Sequence, residues 1–201
     1  LATSLLVFGG AQTNQIQAQS EGLAVKIAEL RKANAALMKQ YSWQARTELT
    51  DKGKVADTRI ETVSYGPDGK LERTLLNDES SPLPRGFVRR RIAEKEKERV
   101  EKYLTGLRAL LEQYTLPTQG KTMGFVADAK IQAPDANGVL QLTGTSVVVP
   151  GDTLTLSVQA ATRQTLKLAI TTTFEGDPVM ANASFRTLAS GLNHLEFGEV
   201  D

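Results

Sequence analysis

Few residues in this chain can do nucleophilic or acid–base chemistry. His194 is the only histidine, and cysteine is absent from the 201 residues. A serine triad needs a histidine between nucleophile and carboxylate, and no Gly-x-Ser-x-Gly turn is present to hold such a serine. We expect His194 to lie in a surface loop. The inventory predicts a protein that is not an enzyme, and a hydrolase stays open only if His194 lies in a cleft beside an acid and a hydroxyl.

Carboxylates occur at two places where they could transfer protons or bind a cation. Glu48 and Glu61 fall on consecutive predicted strands and could form an acid pair, although neighbouring arginines favour an exposed face of alternating charge. The turn that begins at Asp135 starts like a calcium loop but lacks the acidic ligand that should follow, so we interpret it as a plain turn. We therefore predict no metal and no cofactor.

Four arginines cluster at the start of a predicted long helix: Arg85, Arg89, Arg90 and Arg91. The helix macrodipole disfavours positive charge at that end. One interpretation is contact with anionic lipid head groups or with an acidic partner. The other is a solvated helix end, in which Glu94 and Glu98 neutralise the arginines at helical spacing. Both interpretations stay open.

The charge balance and length limit the functional classes. Lysine and arginine total 24 and the acidic residues 23, a net charge of +1. A nucleic-acid-binding domain would need a basic face, so we expect no nucleic acid partner. With 40% hydrophobic and 23% charged residues, the chain has the composition of a folded globular protein.

The first 20 residues differ in character from the rest. An apolar run over residues 1–11 gives way to a polar segment over 12–20, which is typical of a signal-peptide remnant or a disordered leader. The run is far shorter than the ~20 residues that span a bilayer. We expect a periplasmic or secreted protein, in which residues 21–201 form a single α+β domain with a helical insertion at about 86–128.

Hydrophobic spacing assigns the elements that would position these residues. Three-and-four periodicity predicts helices from Ser20 to about Tyr41, over 86–114 and over 118–128. Apolar–polar alternation predicts strands over 41–49, 58–65 and 70–76, then over 130–133 and 139–149. Three further alternating stretches fill residues 153–187. Short turns join them, which favours antiparallel neighbours and a sheet with one apolar face.

Several segments carry a family resemblance: residues 41–48, 59–70, 151–158 and the turn 161–163. In this order of elements they resemble the LolA-like superfamily of periplasmic lipoprotein carriers and lipoprotein-sorting-like proteins. The resemblance implies an incomplete, curved antiparallel barrel with helices packed on one face. It also implies a cavity between sheet and helices that receives acyl chains.

From the residues and the resemblance we predict a non-enzymatic exported protein that binds a lipid, a lipoprotein acyl chain or another hydrophobic ligand between sheet and helices. The candidate lining residues are apolar side chains of the predicted strands: Trp43, Ile60, Leu154, Leu156, Leu168, Ile170 and Phe185. The alternative is an extrinsic structural or accessory subunit that docks onto a larger envelope complex, with peripheral membrane contact. A cavity of several hundred Å³ favours the first function, and a close-packed interior favours the second.

Overall fold

The computed structural model describes residues 10–51, 54–78, 87–115 and 118–201. Side chains are described for residues 22–50, 54–55, 57–76, 95, 98–115 and 118–201. These residues form three helices, α1 (Gly10–Met38), α2 (Phe87–Tyr114) and α3 (Gln119–Asp128). They also form nine strands: β1 (Trp43–Asp51), β2 (Lys54–Tyr65), β3 (Leu71–Asp78), β4 (Lys130–Ile131), β5 (Val139–Thr145), β6 (Thr153–Gln159), β7 (Thr165–Phe174), β8 (Asp177–Thr187) and β9 (Asn193–Val200).

The chain divides into two compact units, with the boundaries inside helices α1 and α2. One unit contains the described residues up to Asn34 together with Ala109–Asp201, and the other is Ala35–Arg108. All strands pair antiparallel, which confirms the α+β class. The strands form two sheets, β1-β2-β3 and β4-β5-β6-β7-β8-β9, where the sequence predicted one. Each short turn pairs a strand with its neighbour, and helices α2 and α3 separate the two runs of strands.

The six-stranded sheet has one apolar face, as the alternation over 153–187 predicted. Leu142 pairs with Leu156, and Leu156 pairs with Leu168, so their side chains share a face. Leu154 and Ile170 pair in the same way. Because side chains alternate along a strand, the residues that alternate with them lie on the opposite face and are mostly polar: Gln141, Thr143, Thr155, Ser157, Lys167 and Ala169.

Helical residues join that apolar face in one hydrophobic core. The buried cluster includes Ala24 and Ile27 from α1, Tyr114 from α2, and Phe125 and Val126 from α3, together with the leucines of the sheet. Removal of apolar surface from water contributes about 25 cal/mol per Å² to folding. Residues of all three helices therefore belong to the same buried cluster as the apolar face of the sheet.

Two α1 side chains tie this helix to other parts of its unit. The amide of Asn34 donates to the Asn193 carbonyl at 2.7 Å and accepts from the Asn193 N–H at 2.8 Å. The Arg31 guanidinium donates to the Thr115 carbonyl at the C-terminal end of α2, where the helix dipole favours a cation. Burial lowers the pKa of Arg31 to about 10, so the side chain stays charged at neutral pH.

In the three-stranded sheet, the register assigns each side chain to a face. Trp43 pairs with Val63, and Tyr65 pairs with Leu71. The Trp43 and Tyr65 rings lie 6.3 Å apart at a 54° tilt, within the range of a favourable aromatic pair. This face, which we call the β1–β3 apolar face, carries the apolar side chains of Trp43, Leu49, Val63, Tyr65, Leu71 and Leu75, and also the charged residues Arg59, Glu61 and Arg73.

Several predicted limits and placements differ from the structure, among them the start of β2, which is Lys54 and not residue 58. Helix α1 begins at Gly10, inside the segment expected to be a leader, because residues 11–20 contain neither proline nor glycine to stop a helix. Strand β5 ends at Thr145 and not at Val149, because the N–H groups that follow bond to Asp152. His194 lies in strand β9, not in a loop, since a tight turn at Gly191 (φ 86°) starts another hairpin.

Residues 1–9 lie outside the described residues, so the signal-peptide remnant stays a prediction. None of the helices in the described part of the chain has the length and hydropathy needed to span a membrane.

Candidate functional site

Five of the seven predicted lining residues belong to the core of the larger unit. Leu154 and Leu156 have an exposed fraction of 0%, Leu168 and Ile170 are also buried, and Phe185 packs against them. These side chains contact one another and the covering helices in one buried cluster. These five positions, where the sequence predicted ligand-lining residues, are therefore part of the core of this unit.

The other two predicted lining residues lie in the three-stranded sheet and on opposite faces of it. Trp43 pairs with Val63, whereas Ile60 pairs with Arg46, three positions along β1 from Trp43. An odd offset along a strand places side chains on opposite faces. The seven residues thus do not share one surface. The prediction grouped them by hydrophobicity, which does not determine the face or the sheet.

The side chains of the predicted arginine cluster are not among those that the structure describes. Arg85 lies outside the described residues, and so do the side chains of Arg89, Arg90 and Arg91 within α2. Contact between this cluster and anionic head groups or an acidic partner stays a prediction.

A buried polar network that the sequence did not reveal connects α2 with the six-stranded sheet. The Asp152 carboxylate, in a residue only 2% exposed, accepts from the backbone N–H groups of Val147, Val148 and Val149 at 2.6–2.8 Å. The Tyr114 hydroxyl lies 2.7 Å from the same carboxylate and 2.8 Å from the Thr172 hydroxyl. A phenol has one proton and gives it to the carboxylate, so Thr172 donates to the phenol oxygen.

The network shifts the pKa values of both titratable members. Burial alone would raise the pKa of Asp152, but the donated hydrogen bonds from Val149, Tyr114 and the other loop N–H groups outweigh it and lower the pKa. Burial raises the pKa of Tyr114 to about 12; the bond from Thr172 opposes this rise and the Asp152 carboxylate adds to it. Near neutral pH the pair is one anion and one neutral phenol. This arrangement fixes the loop over residues 146–151 and is not poised for proton transfer.

A pocket of about 460 Å³ lies beside this loop, within the larger unit. One wall is a face of α3, which provides Lys121, Gly124, Phe125 and Asp128, and the other is the end of β5 and the loop after it. Gln113 of α2 completes the lining, which comprises Gln113, Lys121, Gly124, Phe125, Asp128, Gly144, Thr145, Ser146, Val147 and Val148. The size is that of a small-molecule site. None of the seven predicted lining residues contributes to it.

The β1–β3 apolar face is a second candidate surface, in the smaller unit. Val63 is fully buried and Trp43 and Tyr65 are partly buried, but Leu71 and Leu75 are 48% and 50% exposed. Among the described residues of this unit, the buried hydrophobic side chains are those of Val63 and Leu107. Its sheet therefore presents apolar area that the unit itself leaves in water.

Charged residues on this sheet form pairs across the strands. Glu61 accepts from Arg73 at 3.1 Å on the apolar face, and Glu48 pairs with Arg46 on the other face. The register places Glu48 opposite Thr58 and Glu61 opposite Ala45, so the two glutamates lie on opposite faces. The acid pair considered from the sequence does not form.

The remaining candidate residues occupy simple structural positions. His194 is on β9 with its Nδ1 2.9 Å from the Leu195 carbonyl oxygen. Asp135 accepts from the N–H groups of Asn137 and Val139, which makes its segment a tight turn. Among the described residues, no three histidine, cysteine or acidic side chains are grouped as metal ligands.

No protein-family model, no curated protein and no solved structure matches this chain.

Proposed function

We propose that this chain is a non-enzymatic, exported protein of the LolA-like kind, which binds the acyl chain of a lipid or lipoprotein in the periplasm. The ligand lies on the β1–β3 apolar face, against Leu71 and Leu75. The exposure of these two leucines beside an aromatic pair carries the proposal. An acyl chain is flexible and apolar along its length, so it suits a surface of leucine and aromatic side chains.

We also propose that both sheets are curved, with their apolar faces on the concave side. Register shifts in the ladders support it: β3 has an extra residue, Leu76, opposite Ile60 and Glu61, and β9 has an extra residue, Glu196, opposite Ser184 and Phe185. An extra residue in one strand bends that strand and increases its twist.

The exposed leucines set the expected contribution to binding. Full burial of a leucine side chain contributes about 1.5–3 kcal/mol, and about half of each side chain is still exposed. Covering both exposed halves would thus contribute about 2 kcal/mol, or roughly thirtyfold in affinity.

Oleate titration tests this, because Trp43 is the only tryptophan and reports on the face directly. We expect saturable binding with a blue shift of the Trp43 emission, because the indole environment becomes less polar. The double variant Leu71→Ala/Leu75→Ala should bind oleate roughly thirtyfold more weakly.

The matched control is Leu188→Ala/Leu195→Ala, two leucines of the other unit that are 40% and 53% exposed. This control should bind oleate as the wild type does. Equal affinity of the Leu71/Leu75 variant and the wild type would contradict the proposal, and so would an unchanged Trp43 spectrum at saturating oleate.

The accessory-subunit function is the second candidate, and the burial of five predicted lining residues in the core of the larger unit favours it. Leu154 and Leu156 leave no room for a ligand there, as expected for a unit that acts through its outer surface. In that function the β1–β3 apolar face contacts a protein partner of an envelope complex. Binding of oleate with the variant pattern described above would argue against it.

A further inference from the structure

Two residues of opposite charge lie on one face of α3 and line the pocket. Lys121 and Asp128 both line it and are seven residues, or two helical turns, apart. At 1.5 Å per residue, their backbone positions are about 10 Å apart. In the described part of the chain, neither side chain has an ion-pair partner. Because side chains of a helix tilt in the same direction, we expect the ammonium of Lys121 and the carboxylate of Asp128 to be separated by a similar distance.

The lining is mixed in polarity. Phe125 of α3 follows Lys121 by one helical turn, and Val147 and Val148 line the facing wall. Gln113 and Thr145 add an amide and a hydroxyl. A ligand that fits this pattern has an anionic end, a cationic end and a polar but uncharged backbone between them.

The wall of the pocket that faces α3 is anchored by hydrogen bonds within the protein, so the pocket exists without a ligand. Three backbone N–H groups of residues 147–149 bond to Asp152, which the Tyr114 hydroxyl holds in turn. The Phe125 ring fits over Gly144, where an added Cβ would lie 2.8 Å from a ring carbon. Pre-formed walls lower the ordering cost of binding.

We propose that this pocket binds a short linear zwitterion, and that a tripeptide with free termini has the length it accepts. An extended chain spans about 3.3–3.6 Å per residue, so three residues separate the terminal ammonium and carboxylate by about 10 Å. The carboxylate pairs with Lys121 and the ammonium pairs with Asp128. This site is separate from the β1–β3 apolar face and does not depend on lipid binding.

Calorimetric titration of the whole protein with tri-alanine tests the proposal. We expect saturable one-to-one binding. N-acetylated and C-amidated tri-alanine, which has the same three residues and no charge, should bind at least roughly tenfold more weakly, because both charged hydrogen bonds are lost. Lys121→Gln and Asp128→Asn should each weaken the binding of tri-alanine by about tenfold.

Two glycines of α3 offer a matched pair of variants. A Cβ at Gly120 or at Gly124 meets no atom within 4 Å, but only Gly124 is among the lining residues. Gly124→Leu fills the pocket and should abolish binding of tri-alanine, whereas Gly120→Leu should leave it unchanged. Both variants replace a helical glycine with a better helix former, so both should melt at or above the wild-type temperature.

Three results would overturn the proposal. They are no saturable binding of tri-alanine to the wild type, equal affinity for the blocked tripeptide, and wild-type affinity in Gly124→Leu. Oleate binding in the same samples reports separately on the apolar face, so either site can fail without the other.

Discussion

Replacement of Asp152 by asparagine tests the buried network at its centre. This carboxylate accepts four hydrogen bonds, three from the backbone of residues 147–149 and one from Tyr114. Asparagine retains one oxygen, which can serve the three donors at Oδ2. Its NH₂ group then faces the Val147 N–H, which was 2.6 Å from Oδ1, and two donors cannot bond to each other.

The cost follows from the bond that is lost and from the charge. A hydrogen bond to a charged group contributes about 1.5–3 kcal/mol, and the three retained bonds weaken when the acceptor becomes neutral. We expect Asp152→Asn to lower the free energy of unfolding by about 3 kcal/mol, and the melting temperature by about 6–12 °C for a chain of this size.

The pH dependence distinguishes the charge from the shape of the side chain. Asp152 has a lower pKa in the folded state than its ordinary 3.8, so the folded protein binds fewer protons there than the unfolded chain. Its contribution is present above pH 3.8 and is lost as the pH falls through the lower folded-state pKa. Urea unfolding should show a constant difference between wild type and variant from pH 7 to about pH 4, and a smaller difference below it.

Asp135→Asn is the matched control, because Asp135 also accepts two backbone N–H groups but is exposed. Asparagine can accept the same hydrogen bonds in this turn, so the free energy of unfolding of the variant should lie within about 0.5 kcal/mol of that of the wild type. Two results would contradict a stabilising role of the Asp152 carboxylate. One is a loss in the free energy of unfolding no larger than that of the control, and the other is an equal loss at pH 3 and at pH 7.

Three further variants test other contacts. Tyr114→Phe should lower the free energy of unfolding by about 1–2 kcal/mol. Because burial raises the folded-state pKa of Tyr114 from 10.0 to about 12, we expect the wild type to lose stability as the pH rises above 10, and urea unfolding should show a smaller loss in the variant. Gly144→Ala places a Cβ 2.8 Å from a Phe125 ring carbon, so we expect a loss of about 1–3 kcal/mol in thermal melts, and an unchanged melt would contradict this contact. Asn34→Ala removes both bonds to Asn193 and should accelerate hydrogen exchange at the Asn193 N–H; wild-type exchange there would show that the pair does not protect it.

The sequence predicted strand faces well, because alternation follows directly from strand geometry. Residues 153–187 alternate along three strands, and the leucines of that segment lie on the buried face as expected. The α2 and α3 helices also lie close to their predicted limits. These features depend on local periodicity, which one sequence contains.

Pairing between strands could not be predicted in the same way. Trp43 and Ile60 are apolar residues of adjacent strands, and only the register shows that they lie on opposite faces. A shift of one residue would reverse that assignment, because side chains alternate with a period of two. The sequence also did not predict two separate sheets, because hydrophobic alternation shows that a segment is a strand but not which strand it pairs with.

The buried network and the pocket depend on contacts between distant segments. Asp152 and Thr172 lie 38 and 58 positions after Tyr114 in the sequence. The Pro-Gly-Asp sequence that contains Asp152 signals a turn but does not indicate that the acid is buried. The spacing of Lys121 and Asp128 was visible as two turns of one helix face. The wall opposite them comes from the loop after β5, which the alternation predicted to be strand.

Native mass spectrometry of the protein purified from its own host, with lipid extraction, tests whether the chain binds lipid at all. We expect a monomer that carries a lipid or an acylated ligand, and loss of that mass in Leu71→Ala/Leu75→Ala but not in Leu188→Ala/Leu195→Ala. A lipid-free chain in stoichiometric complex with a protein partner would contradict it.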